Sequence, residues 1–288
     1  MVERWEKGPF AAGGALRLEW QRLQAQGRAP RRDFLPSGAL EAVWRPDDNQ
    51  SLSLAYTATA RAPSPEERYA FGVHAATQRF EIGAPGLKPE RSHQLELGYR
   101  FRSARLEADL TLFHHWVRDY VFFRATGGSD PESGLPVFAA AQEDAVFRGL
   151  EASVRLNLLA LDQGDLDLTL FGDRVRGRLS QGGDVPRMPP LRYGMELGLY
   201  RADGSLALRL TRAEAQDHPG RLEVPTPAYL RLDVGGEYRL ALGEGRGLTL
   251  FARGTNLLDQ TIRSATSPLR TIAPEAGRGA EAGFRLEF

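Results

Sequence analysis

The sequence predicts an all-β fold, a transmembrane antiparallel up-and-down β-barrel, with about twelve strands present. Three observations predict it. Apolar and polar residues alternate along most of the chain, short turns alternate in order with long loops, and aromatic residues gather near the short turns. Such strands have one apolar and one polar face, because successive side chains of a strand point in opposite directions.

The amino-terminal residues are the first expected strand. Residues 3–7 carry charges of both signs, Pro9 and nearby glycines interrupt the apolar residues, and Arg17 and Glu19 occupy alternate positions. A secretory signal needs a basic start, an uninterrupted apolar stretch and a small-residue cleavage site. The sequence therefore predicts strand structure here and no signal peptide.

Alternation then recurs to the carboxyl terminus. Leu95, Leu97 and Tyr99, for example, alternate with Glu96, Gly98 and their polar neighbours. The clearest alternating segments are residues 51–57, 94–101, 105–112, 150–157, 165–170, 230–235 and 283–288. A tilted strand of roughly 9 to 11 residues is enough to cross a bilayer, so each segment is a candidate span.

The connections between these strands alternate in length. Tight turns are expected at residues 45–49, 102–104, 162–164, 201–204 and 243–247, and long loops at 21–36, 61–91, 124–143, 176–190, 213–226 and 258–275. Outer-membrane barrels have short periplasmic turns and longer outer loops. Five aromatic residues near the short turns or the chain end then predict one interfacial girdle: Trp44, Phe101, Tyr200, Tyr238 and Phe288.

Composition excludes several other classes. Equal numbers of basic and acidic residues, 37 of each, argue against a nucleic-acid partner. The absence of cysteine excludes disulfides and thiolate metal sites, and no apolar run reaches the length of a spanning helix. No Gly-x-Ser-x-Gly elbow or phosphate-binding Gly-x-x-x-x-Gly-Lys loop occurs. We therefore expect neither an enzyme nor a resident cofactor.

Two segments carry a family resemblance. The first contains Ala60–Tyr69, His74-Ala-Ala-Thr77, Phe80-Glu-Ile-Gly83 and Leu87–Ser92; the second contains Gly254-Thr-Asn-Leu-Leu-Asp259, Gly277-Arg278 and a closing strand that ends in Phe288. In this order they resemble the barrel of TonB-dependent outer-membrane receptors. The short sequence motifs around His74 and Phe80 are similar to those of the branch that takes up zinc and other metals. Arg68 and Ala84 depart from the family pattern, which often has leucine and asparagine at these positions.

The resemblance implies a location in the outer membrane of a Gram-negative bacterium, contact with outer-membrane lipid, and uptake of a scarce metal or metal chelate, zinc or an iron siderophore. It also implies a signal peptide, a plug domain that contacts TonB, and a barrel of ~22 strands closed around the plug. Measured against that pattern, residues 1–288 are expected to be the carboxyl-terminal portion of the barrel, with plug and signal peptide absent. Met1 then resembles an internal start or the start of a truncated gene.

Candidate metal ligands lie in the expected outer loops. His74 is the leading ligand, Glu81 is an oxygen partner, and Asp217 and His218 are further candidates, because imidazole and carboxylate groups suit zinc. Charged residues such as Glu96, Arg100, Glu107, Asp109, Glu151, Arg155, Arg231, Asp233, Glu237 and Arg239 are expected to face inward. There they would pair across strands, or contact a plug or substrate.

Two other classes remain open on the sequence. One is a self-contained outer-membrane barrel of ~12 strands that acts as a pore or an outer-membrane enzyme, since even strand numbers from 8 upward can close. The other is a secreted soluble β-protein that binds carbohydrate, since soluble sheets also alternate apolar and polar residues. A need for detergent during purification would separate these two classes.

Overall fold

The computed structural model describes residues 2–243 and 245–288. They form fifteen strands and one short helix. The elements are β1 Val2–Lys7, β2 Phe10–Leu23, β3 Arg31–Asp47, β4 Gln50–Arg61, α1 Pro65–Tyr69, β5 Phe71–His74, β6 Arg79–Ile82, β7 Glu90–Arg102, β8 Leu106–Ser129, β9 Pro136–Leu161, β10 Gly164–Leu179, β11 Arg192–Arg201, β12 Gly204–Ala213, β13 Tyr229–Gly243, β14 Arg246–Thr255 and β15 Gly279–Glu287. None of the described residues belongs to a helix long and apolar enough to cross a membrane.

All strands except β5 and β6 follow one another in a single antiparallel meander, which we call the wall. Its edges are β1 and β15, and no pairing joins these two strands in the described part of the chain. The predicted all-β, up-and-down architecture is confirmed. Two details differ from expectation: the amino-terminal residues form two strands because Gly8, at φ 56°, turns the chain, and the pair β5–β6 adds strands inside an expected loop.

Short and long connections alternate as predicted. Strand ends at the short side are separated by two or three residues, as between β3 and β4 or β7 and β8, whereas residues 62–89, 180–191, 214–228 and 256–278 form long connections at the other side. The expected loop at 124–143 is wrong. Most of it extends β8 and β9, which reach 24 and 26 residues, because Tyr120–Ala125 pair with residues 138–143.

One face of the wall, the outward face, is apolar. Register places Leu54 opposite Leu97, Leu97 opposite Leu112, and Leu112 opposite Leu150, so leucine side chains lie in rows across neighbouring strands. The rows continue at the other end of the wall with Leu199–Leu206, Leu210–Leu232 and Leu248–Leu286. Many of these side chains are exposed, as expected for the lipid-facing side of an outer-membrane barrel.

Aromatic side chains border this apolar band at both ends. Near the short turns Phe10 stacks on Trp44 at 6.4 Å, and near the long loops Trp20 packs on Phe34 at 5.1 Å. The second girdle continues through Tyr56, Trp116 and Tyr193, all exposed. Tyr200, expected in the first girdle, instead lies on the inward face: its ring covers Gly198, and Arg155 lies 6.0 Å from its centroid.

The inward face is polar, and its charges pair as the sequence predicts. Arg100 binds Asp109 at 2.9 Å, and Arg155 binds Asp167 at 2.5 Å. Similar contacts join Arg192 to Asp173, Arg209 to Glu196, Arg231 to Asp233 and Arg239 to Glu287. Aromatic rings on this face also cover glycines of the next strand, as Phe113 covers Gly149, which fills space where glycine has no side chain.

Candidate site in the outer loops

The connection between β4 and β7 is held against the rim of the wall by its own polar contacts. Helix α1 begins in a capping box: the Ser64 hydroxyl accepts a hydrogen bond from the Glu67 amide, and the Glu67 carboxylate accepts one from the Ser64 amide. Arg61 donates to the same carboxylate at 2.9 Å. The next residue, Arg68, is fully buried and donates to Asp33 at 2.8 Å, which ties α1 to β3.

The hairpin β5–β6 then joins the extension of β8 and β9. Its second strand pairs with β9 in parallel, with Phe80 opposite Val137 and Ile82 opposite Ala139. This parallel pairing is the only one in the described sheet. It places the side chains of β6 among residues from the outer ends of other strands. Residues 61–91, expected to lack strand alternation, therefore contain an ordered helix and hairpin.

Two of the predicted metal ligands meet on this hairpin. His74 ends β5 and Glu81 lies on β6, and the His74 Nδ1 atom is 3.3 Å from a Glu81 carboxylate oxygen. Thr77 joins them: its hydroxyl lies 3.0 Å from the same nitrogen and donates to Glu81 at 3.1 Å. Glu81 is buried and His74 is exposed. The pair thus has an oxygen and a nitrogen close together with one side open.

The other two predicted ligands form a separate pair. In the loop that follows β12, the His218 Nε2 atom lies 3.4 Å from Asp217, and its Nδ1 atom lies 4.0 Å from Asp184. These residues line a cavity of about 260 Å³ together with Arg174, Arg176 and Glu214. Residues 2–243 and 245–288 contain no group of three or more His, Asp or Glu residues arranged to hold a metal. The metal site stays a prediction.

The remaining histidines lie on the wall. His93 faces outward and shares a hydrogen bond of 2.7 Å with the Tyr56 hydroxyl. His114 stacks on Trp116 at 4.1 Å in the girdle, and His115, on the inward face, lies 4.0 Å from Glu96. His93 and His114 thus lie at the girdle, and none of the three histidines belongs to a metal-binding group among the described residues.

Arginine and aromatic side chains form a cluster above the wall that the sequence patterns do not predict. The Arg79 guanidinium lies 3.9 Å from the centre of the Phe138 ring, and Arg124 lies 5.4 Å from Phe122. We call Arg79, Phe122, Arg124, Phe138, Arg187, Arg221 and Arg270 the arginine–aromatic cluster. Part of it lines a cavity of about 150 Å³ with Glu143 and Glu223.

Carboxylates neutralise only part of this charge. Arg270, itself buried, lies 3.1 Å from Glu223, and Arg124 binds Glu143 at 3.2 Å. The described residues place no carboxylate oxygen within 4 Å of the guanidinium groups of Arg79, Arg187 or Arg221. Burial, and then the neighbouring charge of Arg187, lower the pKa of Arg79. An anion placed here would be attracted.

Loop composition alone gives no signal for this cluster, because its members come from four connections and from the extended β8–β9 hairpin. Arg79 meets Phe138 only because β6 pairs with β9, and residues 57 or more positions apart in sequence cannot be matched by local periodicity. Alternation of Phe80 and Ile82 does identify the face opposite to Arg79 and Glu81. The sequence therefore indicates which face of β6 a side chain occupies, but not which residues of other elements it contacts.

Comparison with known proteins gives one consistent result. A family model described as the β-barrel of TonB-dependent receptor-like proteins matches residues 3–257. The fold is similar to those of the copper transporter OprC (TM-score 0.78, 19% identity), an FrpB iron transporter from Neisseria meningitidis (0.71, 14%) and the siderophore receptor PirA from Pseudomonas aeruginosa (0.62, 17%). The matches cover 98% of this chain but only 45%, 44% and 46% of those chains.

Proposed function

Because this chain belongs to the family of TonB-dependent receptor β-barrels, we propose that it forms wall and outer loops of a receptor for uptake of an anionic metal chelate. Family members are transport proteins of the Gram-negative outer membrane and not enzymes, in agreement with the sequence-based expectation. The chain spans less than half the length of the solved proteins that it resembles. On this proposal, residues 1–288 are the carboxyl-terminal portion of the barrel, and the plug and its TonB contact lie outside them.

The arginine–aromatic cluster is the observation that carries the choice of substrate class. Guanidinium groups bind carboxylate and catecholate oxygens through charge-assisted hydrogen bonds, and aromatic rings offer flat apolar contact. Arg79, Arg187 and Arg221 are the cluster's arginines without a carboxylate neighbour, and all three occupy outer connections. Free zinc or copper ions would be repelled by that charge, whereas a negatively charged chelate would be attracted.

The His74–Glu81 pair supports a second candidate, capture of a free metal ion such as zinc. Its separation of 3.3 Å is compatible with two ligands that turn toward one ion. Two protein ligands make half of a four-coordinate site, so the remaining ligands would come from Asp217 and His218, from a plug or from a chelating substrate. The pair and the arginine–aromatic cluster predict different ligands, and one set of measurements separates them.

The test uses the folded chain in detergent, titrated with ferric tris-catecholate, a trianionic complex, and with a ferric trihydroxamate, which is uncharged. We expect tight binding of the anionic complex only. Replacing Arg79 with glutamine should weaken it by about 10- to 100-fold, since a hydrogen bond to a charged group contributes roughly 1.5 to 3 kcal/mol. Arg105→Gln, at a short turn, is the charge-matched control and should bind like the unmodified chain.

Equal affinity of Arg79→Gln and Arg105→Gln for the anionic complex would contradict the chelate proposal. Phe138→Leu gives an independent test at the ring that faces Arg79, and it should weaken binding while leaving all charges in place. For the metal candidate, zinc binding is measured by titration calorimetry with His74→Ala/Glu81→Ala. Unchanged zinc affinity in that double variant would remove the pair from metal capture.

A further inference from the structure

Arginines collect on the outward face of the wall at its long-loop end. Register places Arg91 opposite Arg118 and Arg148 opposite Arg176, with Arg174 and Arg178 two residues to either side of Arg176. Each of these arginines faces outward, as the leucines nearer the middle of the same strands do, because positions two residues apart share a face. Five of these six arginines are exposed, and Arg176 is half-buried. We call these six residues the arginine row.

The row lies at the level of the second aromatic girdle. Trp116 on β8 is paired with Val146 on β9. Tyr193 on β11 is paired with Gly172 on β10, and Gly172 is paired with Ala152 on β9. The girdle therefore crosses β9 between residues 146 and 152, which includes Arg148. The same pairs map onto β10 at Arg178 and Gly172, so Arg174 and Arg176 also fall within the girdle.

Side chains at the level of an aromatic girdle lie at the boundary between the hydrocarbon core of the bilayer and the lipid headgroups. On β7 and β8 the arginines lie two residues beyond His93 and Trp116, or about 7 Å further from the apolar band. Because the long loops of such barrels are on the outer side, this boundary is that of the outer leaflet. The arginine row therefore faces lipid headgroups rather than bulk water or the lumen.

The protein itself does not neutralise the row. Like charges directly opposite on neighbouring strands are destabilising, as for Arg91 with Arg118 and Arg148 with Arg176. Only Arg176 has a carboxylate oxygen within 4 Å among the described residues, that of Asp184 at 3.6 Å. The nearby Asp144 carboxylate instead accepts the backbone amide of Asp119 at 2.9 Å. Inward arginines of the same wall, in contrast, mostly have carboxylate partners.

We propose that the arginine row binds the phosphate groups of a phosphorylated glycolipid in the outer leaflet. Guanidinium groups match phosphate oxygens in charge and in bidentate geometry, and several adjacent ones would share one headgroup. Trp116 and Tyr193 lie at the same level and contact the apolar part of the lipid. This binding site is on the outside of the wall, so it is independent of the transported ligand proposed above.

The experiment titrates the folded chain in detergent with lipid A and with lipid A from which the phosphates have been removed, followed by tryptophan fluorescence. The unmodified chain should bind the phosphorylated form more tightly, and this preference should decrease as salt is added. In Arg148→Gln/Arg174→Gln/Arg178→Gln we expect about a hundredfold loss, since each arginine near an anionic lipid surface contributes about 1 kcal/mol.

The matched control removes three exposed arginines nearer the short-turn end, Arg45, Arg105 and Arg285, by the same change to glutamine. Its affinity should stay within about twofold to threefold of the unmodified chain, since these charges lie far from the outer leaflet. Heat-dependent gel migration checks that both variants are folded, and the two-lipid comparison on the unmodified chain needs no variant. Equal affinity for the two lipids, or equal affinity of the triple variant and its control, would overturn the proposal.

Discussion

Arginine side chains have different partners on the inward and outward faces of the wall. On the inward face Arg100, Arg155 and Arg192 each bind a carboxylate of a neighbouring strand within 3.0 Å. On the outward face Arg148 and Arg178 have no such partner in the described part of the chain. The inward charges balance one another, whereas on our proposal the outward charges at the rim are balanced by negatively charged lipid headgroups.

The apolar residues of the two faces differ in the same way. Outward leucines lie opposite other leucines and remain exposed, as expected for a face in contact with lipid. Inward aromatic rings lie over glycines: Phe113 covers Gly149, Phe171 covers Gly194 and Phe251 covers Gly283. By packing over a glycine, each ring exposes less of its apolar surface to the polar lumen, although no second sheet packs on this face. Four substitution experiments test this difference between the two faces.

The largest expected effect is that of a charge placed on the outward face. Arginine in place of Leu97, Leu110, Leu168 or Leu232 should lower the free energy of unfolding by roughly 2 to 4 kcal/mol near the bilayer midplane. Arginine in place of inward Ser53, Thr111 or Thr169 should cost much less, because the lumen is polar. Urea titration of the chain folded into lipid vesicles measures both sets. Equal tolerance on the two faces would contradict the assignment of the outward face to lipid.

Removal of a buried inward carboxylate should have the next largest effect. Asp167 is 2% exposed and accepts hydrogen bonds from Arg155 at 2.9 and 2.5 Å and from Asn157 at 3.0 Å. Asp167→Ala leaves those donors unsatisfied, and we expect a loss of about 1.5 to 3 kcal/mol in urea titration. Asp109→Ala removes the partner of a more exposed pair and should cost under about 1 kcal/mol. A larger loss for Asp109→Ala would reverse this order.

Most of the wall could be predicted from the sequence, because alternation reports directly which face a side chain occupies. The same rule explains the error at Tyr200: it has the parity of Glu196 and Gly198, so it faces inward, although its closeness to a short turn favoured the girdle. The extension of β8 and β9 was missed because its apolar residues do not alternate with polar ones. Val121 and Phe122 are adjacent in sequence and both buried, so apolar side chains lie on both faces of β8 there.

The candidate site was predictable only in part. Loop length and ligand chemistry identified the segment that carries His74 and Glu81, although not its hairpin, and the structure brings these two side chains together. It does not bring them into contact with the His218–Asp217 pair in any metal-binding group among the described residues. Long-range pairing, such as β6 with β9 or Arg270 with Glu223, depends on how loops fold over the rim. No local pattern encodes those contacts.

The inward packing of rings on glycines makes a third, smaller prediction. An added Cβ at Gly149 would lie 2.2 Å from the Phe113 ring and 2.5 Å from the Arg174 carbonyl oxygen. Gly149→Ala should therefore destabilise the wall by about 1 to 3 kcal/mol, and Phe113→Leu in the same chain should recover part of that loss. Gly235→Ala is the control, because its Cβ would meet only one atom, at 4.0 Å. Equal losses at the two glycines would show that the ring is not the obstacle.

The smallest expected effect concerns an outward arginine that does have a partner. Arg212 donates to Glu214 at 3.3 Å, and the Tyr193 hydroxyl donates to the same carboxylate at 2.8 Å. These two hydrogen bonds lower the pKa of Glu214. A lowered pKa in the folded chain means stabilisation that is complete above the ordinary value of about 4.3 and is lost as the pH falls through the folded value. Replacing Tyr193 with phenylalanine should raise the pKa of Glu214 toward the ordinary value, as measured by NMR of ¹³C-labelled glutamate. An unchanged titration would mean that Arg212 alone sets the charge of this carboxylate, and Arg212→Gln should then produce the whole rise.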